Sequence, residues 1–221
     1  MRFLVNLWLN LSVFSNMDFN SVLSRCIVSI IVVLQRIFLL IMYPYKTMRK
    51  ISFETDYFQI ILLFGCVCVY FYFANILRQY HYEPIILFIL TVFHYLGSVL
   101  FFHFIATIFS KDKQLSMKPF LFTLMYSMIP TLIWLGVNSS LYLILPPPRT
   151  FSLLGGAFSV VYISFSLAML VWKVILEYLA IRFASKMPFY QVVYALILYF
   201  VMVGPYFFWM YAMNFFRIPI I

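Results

Sequence analysis

Ser116-Met117-Lys118-Pro119-Phe120-Leu121-Phe122-Thr123-Leu124-Met125-Tyr126-Ser127-Met128-Ile129-Pro130 begins polar and basic and turns apolar after Pro119. A helix entering there meets Pro130 after about three turns, and the proline removes a backbone donor from its interior. In water that loss breaks a helix. Inside a bilayer bundle, neighbouring helices or the upstream Ser127 hydroxyl can re-satisfy the freed carbonyl, so the segment predicts a kinked membrane span packed among others.

The whole composition agrees. Of 221 residues, 66% are hydrophobic, 22% aromatic and only 10% charged, with a mean hydropathy of +1.03. Soluble domains carry about 25% charged residues, so this chain has too few to coat a water-facing globule. The expected class is all-α: a polytopic transmembrane helix bundle of about five spans, preceded by an N-terminal interfacial amphipathic helix. The net charge of +9 lies mostly in short loops between apolar runs. There it sets orientation and does not mark a nucleic-acid surface. Cys26, Cys66 and Cys68 lack disulfide or C-x-x-C spacing and read as small buried hydrophobes.

Two regions follow. Residues 1–50 comprise a leader and an interfacial helix; residues 51–221 form the five-helix transmembrane domain. Met1 to Phe14 is interrupted by Asn6 and Asn10 and lacks a small-residue cleavage site, so it reads as an uncleaved leader. Val22 to Tyr43 approaches spanning length, but Gln35 and Arg36 would then sit near the bilayer centre. Arg25 and Arg36 are eleven residues apart and share a face, so an interfacial helix with that face toward headgroups is favoured. The spans then run Tyr57 to Leu77, Ile85 to Phe109, Phe120 to Leu145, Ser152 to about Trp172, and Tyr190 to Met213 with a kink at Gly204-Pro205. Pro146-Pro147-Pro148 closes the third. Lys46, Arg49, Lys50, Lys111, Lys113, Lys118, Arg182 and Lys186 gather on one side, against Arg78, Arg149 and Arg217 on the other. The first side is expected to be cytoplasmic, with the N-terminus in and the C-terminus out.

Ser116-Met117-Lys118-Pro119-Phe120 echoes Ser185-Lys186-Met187-Pro188-Phe189, and each precedes a proline followed four residues later by Trp: Pro130 with Trp134, Pro205 with Trp209. This suggests two related helical hairpins in parallel. Catalytic groups are scarce. His94 and His103 share a span but, nine positions apart, fall on opposite faces, so His94 should bond to a neighbour within the bundle. Lys173 and Glu177 share a helix face and read as an interfacial ion pair, with Lys173 snorkelling toward headgroups; the alternative is a pair that gates a proton or ion path. No G-x-S-x-G, H-E-x-x-H or P-loop pattern occurs. The expectation is a protein that is not an enzyme, with no metal and no cofactor.

From Tyr43-Pro44 onward the chain resembles the Yip-one domain family, the Ypt-interacting class of small five-span membrane proteins. The similarity lies in Pro44 after an amphipathic helix, in Leu124-Met125-Tyr126-Ser127-Met128-Ile129-Pro130, and in the Trp172 region leading through Ala184-Ser185 into the last span. The Asp-Leu-x-Gly-Pro motif of eukaryotic members does not occur here, so the bacterial-type branch is the nearer match. The implied role is a non-enzymatic scaffold or accessory subunit in membrane organisation or trafficking. The alternative is a transport component with a cavity at the kinked third and fifth spans. The first reading places partner or lipid binding at Lys111, Lys113, Lys118, Arg182 and Lys186; the second uses Ser127, Pro130, His94, Pro205 and Tyr206. Expected partners are the bilayer itself and other membrane or peripheral subunits, in the bacterial cytoplasmic membrane or, alternatively, a eukaryotic ER or Golgi membrane.

Sidedness can be checked with single cysteines placed near Lys113 and near Arg149. An impermeant thiol reagent added to intact cells should label the Arg149 site and leave the Lys113 site silent; the opposite pattern inverts the map.

Overall fold

The computed structural model describes residues 19–78, 82–109, 115–144 and 153–213. The leader, Lys111, Lys113, the triproline, Arg149 and Arg217 lie outside these residues, as does the Arg25 side chain. Every regular element among the described residues is an α-helix: α1 (Phe19–Met42), α2 (Pro44–Ile51), α3 (Phe58–Arg78), α4 (Pro84–Phe109), α5 (Lys118–Ser127), α6 (Ile129–Ile144), α7 (Leu153–Ser185) and α8 (Phe189–Ala212). Five spans are long and apolar enough to cross a bilayer: Phe58–Leu77, Pro84–Phe109, Lys118–Leu141, Gly156–Ser185 and Phe189–Met210. The molecule is a multi-pass helical membrane protein.

The third span is the hub. Residues 122–130 are buried without exception, so α5 has no lipid-facing side. It packs most extensively on α7, where Thr123 donates to the Pro119 carbonyl (2.7 Å) and also reaches the Ala180 carbonyl (3.3 Å). The break comes at Met128, two residues ahead of the proline, because Pro130 is the second residue of α6 and there its missing donor costs little. The Met128 N–H turns to the Met125 carbonyl at 3.2 Å. The Leu124 carbonyl thereby loses its usual donor, and the Ser127 hydroxyl supplies one at 2.7 Å. Pro205 behaves differently. It lies inside α8, which runs through it as one helix, so the kink expected at Gly204-Pro205 does not break the span. The two tryptophans diverge as well: Trp134 is buried and donates to Ser166 at 2.9 Å, whereas Trp209 is exposed. The parallel between the hairpins does not extend to these environments.

At the basic end, α2 presents Lys46, Arg49 and Lys50 outward and buries Thr47, Met48 and Ile51 against the bundle. Tyr45 meets Phe183 of α7 edge to face at 4.9 Å. The α1 helix departs from expectation. Its Ser29, Val33, Arg36 and Leu40 stripe turns toward the protein, leaving Ile27, Ile31, Leu34 and Phe38 exposed. Ser29 donates to Asp56 at 2.6 Å; seven residues on, Arg36 donates to Gln59 at 2.6 Å and pairs with Glu54. Both contacts fall within residues 54–59, so α1 is tied to the chain where α3 begins. Arg36 therefore faces protein, not headgroups, because Glu54, Gln59 and the Tyr126 ring offer it fixed partners. The cysteines also differ from the buried reading: Cys66 is exposed and the other two are half-buried.

Burial pulls the Glu54 carboxyl up, but Arg36 and the Thr55 and Asp56 backbone N–H groups outweigh it and hold the group below the ordinary carboxylate range. Its contribution is complete above the ordinary value of 4.5 and is lost as pH falls through the lower folded value. Arg36→Leu removes the donor to Glu54 and Gln59 and is expected to cost about 1–3 kcal/mol at neutral pH. Thermal melting in detergent should show that deficit, and the gap to the wild type should narrow below pH 4.5.

Candidate functional site

Two regions concentrate polar chemistry. The first is inside the bundle. Lys173 lies twelve residues before the end of α7, about 18 Å along the axis, while His94 and Tyr199 each lie ten residues, about 15 Å, from the start of their helices. With a hydrocarbon core about 30 Å thick, all three sit near mid-bilayer depth. The expected interfacial pair is therefore an internal one: α7 continues to Ser185, past the end at Trp172 read from sequence, and carries Lys173 and Glu177 into the bundle. Their charged atoms are 3.6 Å apart, and the side chains are only 6% and 13% exposed. Lys173 does not snorkel.

Across from this pair, α4 and α8 contribute a hydrogen-bonded chain. The Ser98 hydroxyl donates to the His94 carbonyl at 2.9 Å, and Ser98 Oγ lies 2.6 Å from the Tyr199 oxygen. Tyr199 also lies 3.1 Å from His94 Nε2. A cavity of about 30 Å³ separates chain and ion pair, lined by His94, Ser98, Ser127, Lys173, Glu177 and Tyr199. One water fits there, with polar atoms on several sides. A second void of about 10 Å³ on the other side of Lys173 is lined by Pro130, Thr131, Trp134 and Ser166. Thr131 Oγ1 is buried there without a protein partner.

The second region is the basic rim. Lys46, Arg49 and Lys50 on α2, Lys118 at the start of α5, and Arg182 and Lys186 at the end of α7 are all exposed at the same end of the bundle. Arg182 donates to the Tyr178 hydroxyl at 3.1 Å and stacks over that ring at 5.9 Å. Lys186 takes a left-handed backbone, φ 58°, where the chain turns from α7 to α8.

Among the residues singled out from sequence, His94 and Ser127 meet at one cavity, Pro130 lines the adjoining void, and Tyr206 stacks on His94 with rings 5° from parallel. Pro205 is exposed and joins none of them. The polar lining that sequence reasoning missed is Ser98 and Tyr199; the Lys173–Glu177 pair is legible as a pair, but the sequence reading places it at the interface. A signal existed for the ion pair, since Lys and Glu one turn apart inside an apolar run must face protein if the run continues. No local signal marks Tyr199, one of 17 tyrosines. His103 bonds the Leu115 carbonyl at 3.1 Å near the basic end, away from His94. No group of three metal-ligating side chains occurs among the described residues. Comparison with family models, curated proteins and solved structures finds no match to the chain.

Removing one partner of the buried pair strands the other. Lys173→Met alone should destabilise by about 3–5 kcal/mol, whereas the double change to Met at both positions should be neutral or stabilising. Thermal melting of the two variants in the same detergent separates these outcomes.

Proposed function

We propose that this protein is a non-enzymatic membrane scaffold or accessory subunit of the Yip-one type, holding an anionic surface against its basic rim. The observation that carries the reading is the rim itself: exposed cations from three separate stretches of chain, with α2 fixed in place by its buried Thr47, Met48 and Ile51. Such a surface suits anionic headgroups, and through them the assembly of membrane or peripheral subunits beside the bundle. The positive-inside bias favours the cytoplasmic face, in a bacterial cytoplasmic membrane or, as the alternative, an ER or Golgi membrane.

A transport role finds its motive in the buried Lys173–Glu177 pair, since ionisable groups at this depth commonly line ion paths. The void beside Pro130 is only about 10 Å³ and the neighbouring cavity about 30 Å³. Volumes near that of one water leave no solute path past Pro130, which favours the scaffold at that point of the bundle.

Each rim cation near an anionic surface contributes about 1 kcal/mol. Arg49→Gln with Lys50→Gln should therefore weaken retention of phosphatidylglycerol by about thirtyfold, read by native mass spectrometry of protein released from mixed-lipid nanodiscs. Arg149→Gln, in the loop expected on the opposite side, should leave retention unchanged. Equal retention by all variants overturns the rim's role.

A further inference from the structure

The seam between α4 and α8 is open. On α4, His94, Gly97, Ser98 and Phe101 recur at helical spacing and share a face; on α8, Tyr199, Met202, Val203 and Tyr206 do the same. Gly97 puts no side chain in the middle of its stripe, and the facing stripes leave a cleft of about 350 Å³. That is within the size range of small-molecule sites. The cleft's edges are lipid-facing, with Phe93 70% and Met202 59% exposed. Its floor is polar and lies at mid-bilayer depth, so whatever enters comes through hydrocarbon.

Counting protons defines what the floor offers. Ser98 spends its only hydroxyl proton on the His94 carbonyl, so in its 2.6 Å contact with Tyr199 the serine accepts. Tyr199 spends its proton on Ser98, so at 3.1 Å it accepts from His94 Nε2–H. An uncharged His94 then carries a bare lone pair on Nδ1. Nδ1 has no protein partner among the described residues, and it is not one of the sealed, partnerless polar atoms, which are Thr131 Oγ1 and Ser139 Oγ. It is an acceptor open to space. The cleft around it carries aromatic side chains: Tyr206 lies parallel to the imidazole at 6.1 Å, and Phe93 and Phe101 also line the space.

We propose that the α4–α8 cleft is a binding site for a lipid-soluble phenol or hydroquinone, whose hydroxyl donates to His94 Nδ1 and whose ring lies against the aromatic walls. Each part of the ligand answers a feature of the cleft. The apolar tail matches a mouth in the bilayer, the flat ring matches Tyr206 and Phe101, and the donor matches the unpaired acceptor. An oxidised quinone has only carbonyl oxygens and cannot supply that proton, so the site distinguishes the two forms. The assignment is of binding, with no electron transfer, and is independent of the basic rim.

The test uses the full chain in lipid nanodiscs and a diazirine-tagged decyl hydroquinone, with adducts mapped by peptide mass spectrometry. Labelling of residues 93–101 and 199–206 should saturate. Untagged decyl hydroquinone should compete at least tenfold better than its O,O-dimethyl ether, which has the same ring and tail and no donor. Gly97→Leu fills the cleft, and because a Cβ at Gly97 meets nothing within 4 Å the fold should hold, with an unchanged melting midpoint and at least tenfold less labelling. His94→Phe keeps a ring, removes the acceptor and should lose labelling to the same degree. Labelling that does not saturate, adducts elsewhere, an ether that competes equally, or a Gly97→Leu chain labelled like the wild type each overturns the proposal. The ether comparison needs no variant, so a His94→Phe chain that fails to fold does not shield it.

Discussion

Hydrocarbon offers no hydrogen-bond partner, so each polar group drawn into the bilayer must find one within the protein. The broken third span is arranged by this constraint. Ending α5 at Ser127 turns the Met128 N–H away from Leu124, and the neighbouring serine hydroxyl fills the vacancy within one residue of the break. The repair is local, but it requires a site with no lipid contact, and burial of residues 122–130 provides that. Burying α5 on all sides in turn requires α2, α3, α4 and α7 to pack around it. The extensive α5–α7 interface is the consequence, and it brings Lys173 and Glu177 up against Ser127.

The same rule explains what is legible in the amino-acid sequence alone. Span number, a disturbed helix near Pro130 and the clustering of cations depend on hydropathy, proline placement and loop charge, all local properties of the chain. Phe120 to Leu145, read from hydropathy, lies close to the span at Lys118–Leu141, and the partner expected for His94 inside the bundle is Tyr199. Legibility ends where meaning depends on a second helix. Arg36 can face headgroups or protein with equal local logic. The choice is made by Glu54, Gln59 and Tyr126, which lie 18, 23 and 90 positions further on. Lys173 reads as a membrane-surface residue because, by local hydropathy, a charge ends its span. The helix continues to Ser185 with Glu177 one turn later paired to Lys173, which an end-of-span rule cannot register.

Pro130 and Pro205 show the limit most directly. Both are prolines in apolar spans followed four residues later by Trp, yet one sits at a helix start and the other inside a continuous helix. Their flanks differ in what can rescue the backbone. Ser127 precedes Pro130 by three residues, and its hydroxyl caps the segment that ends there. The three residues before Pro205 are Met202, Val203 and Gly204, none with a hydroxyl, and α8 is not interrupted. A motif defined by Pro and Trp omits the residue that decides the geometry.

The two ion pairs make opposite demands on the fold. Arg36 and Glu54 bind at the bundle's end, where solvent lowers the cost of either charge alone, so their pairing chiefly ties α1 to the start of α3. Lys173 and Glu177 meet where an isolated charge is expensive, and a well-packed apolar pair would serve stability as well or better. Keeping the ions there gives the bundle a polar interior that α4 and α8 must face with polar groups of their own. Ser98, His94 and Tyr199 do so, and their internal pairing consumes every hydroxyl proton in the chain of hydrogen bonds. Mutual satisfaction of that kind leaves one imidazole nitrogen over, and an open seam beside it is where the interior of this protein can meet something other than itself.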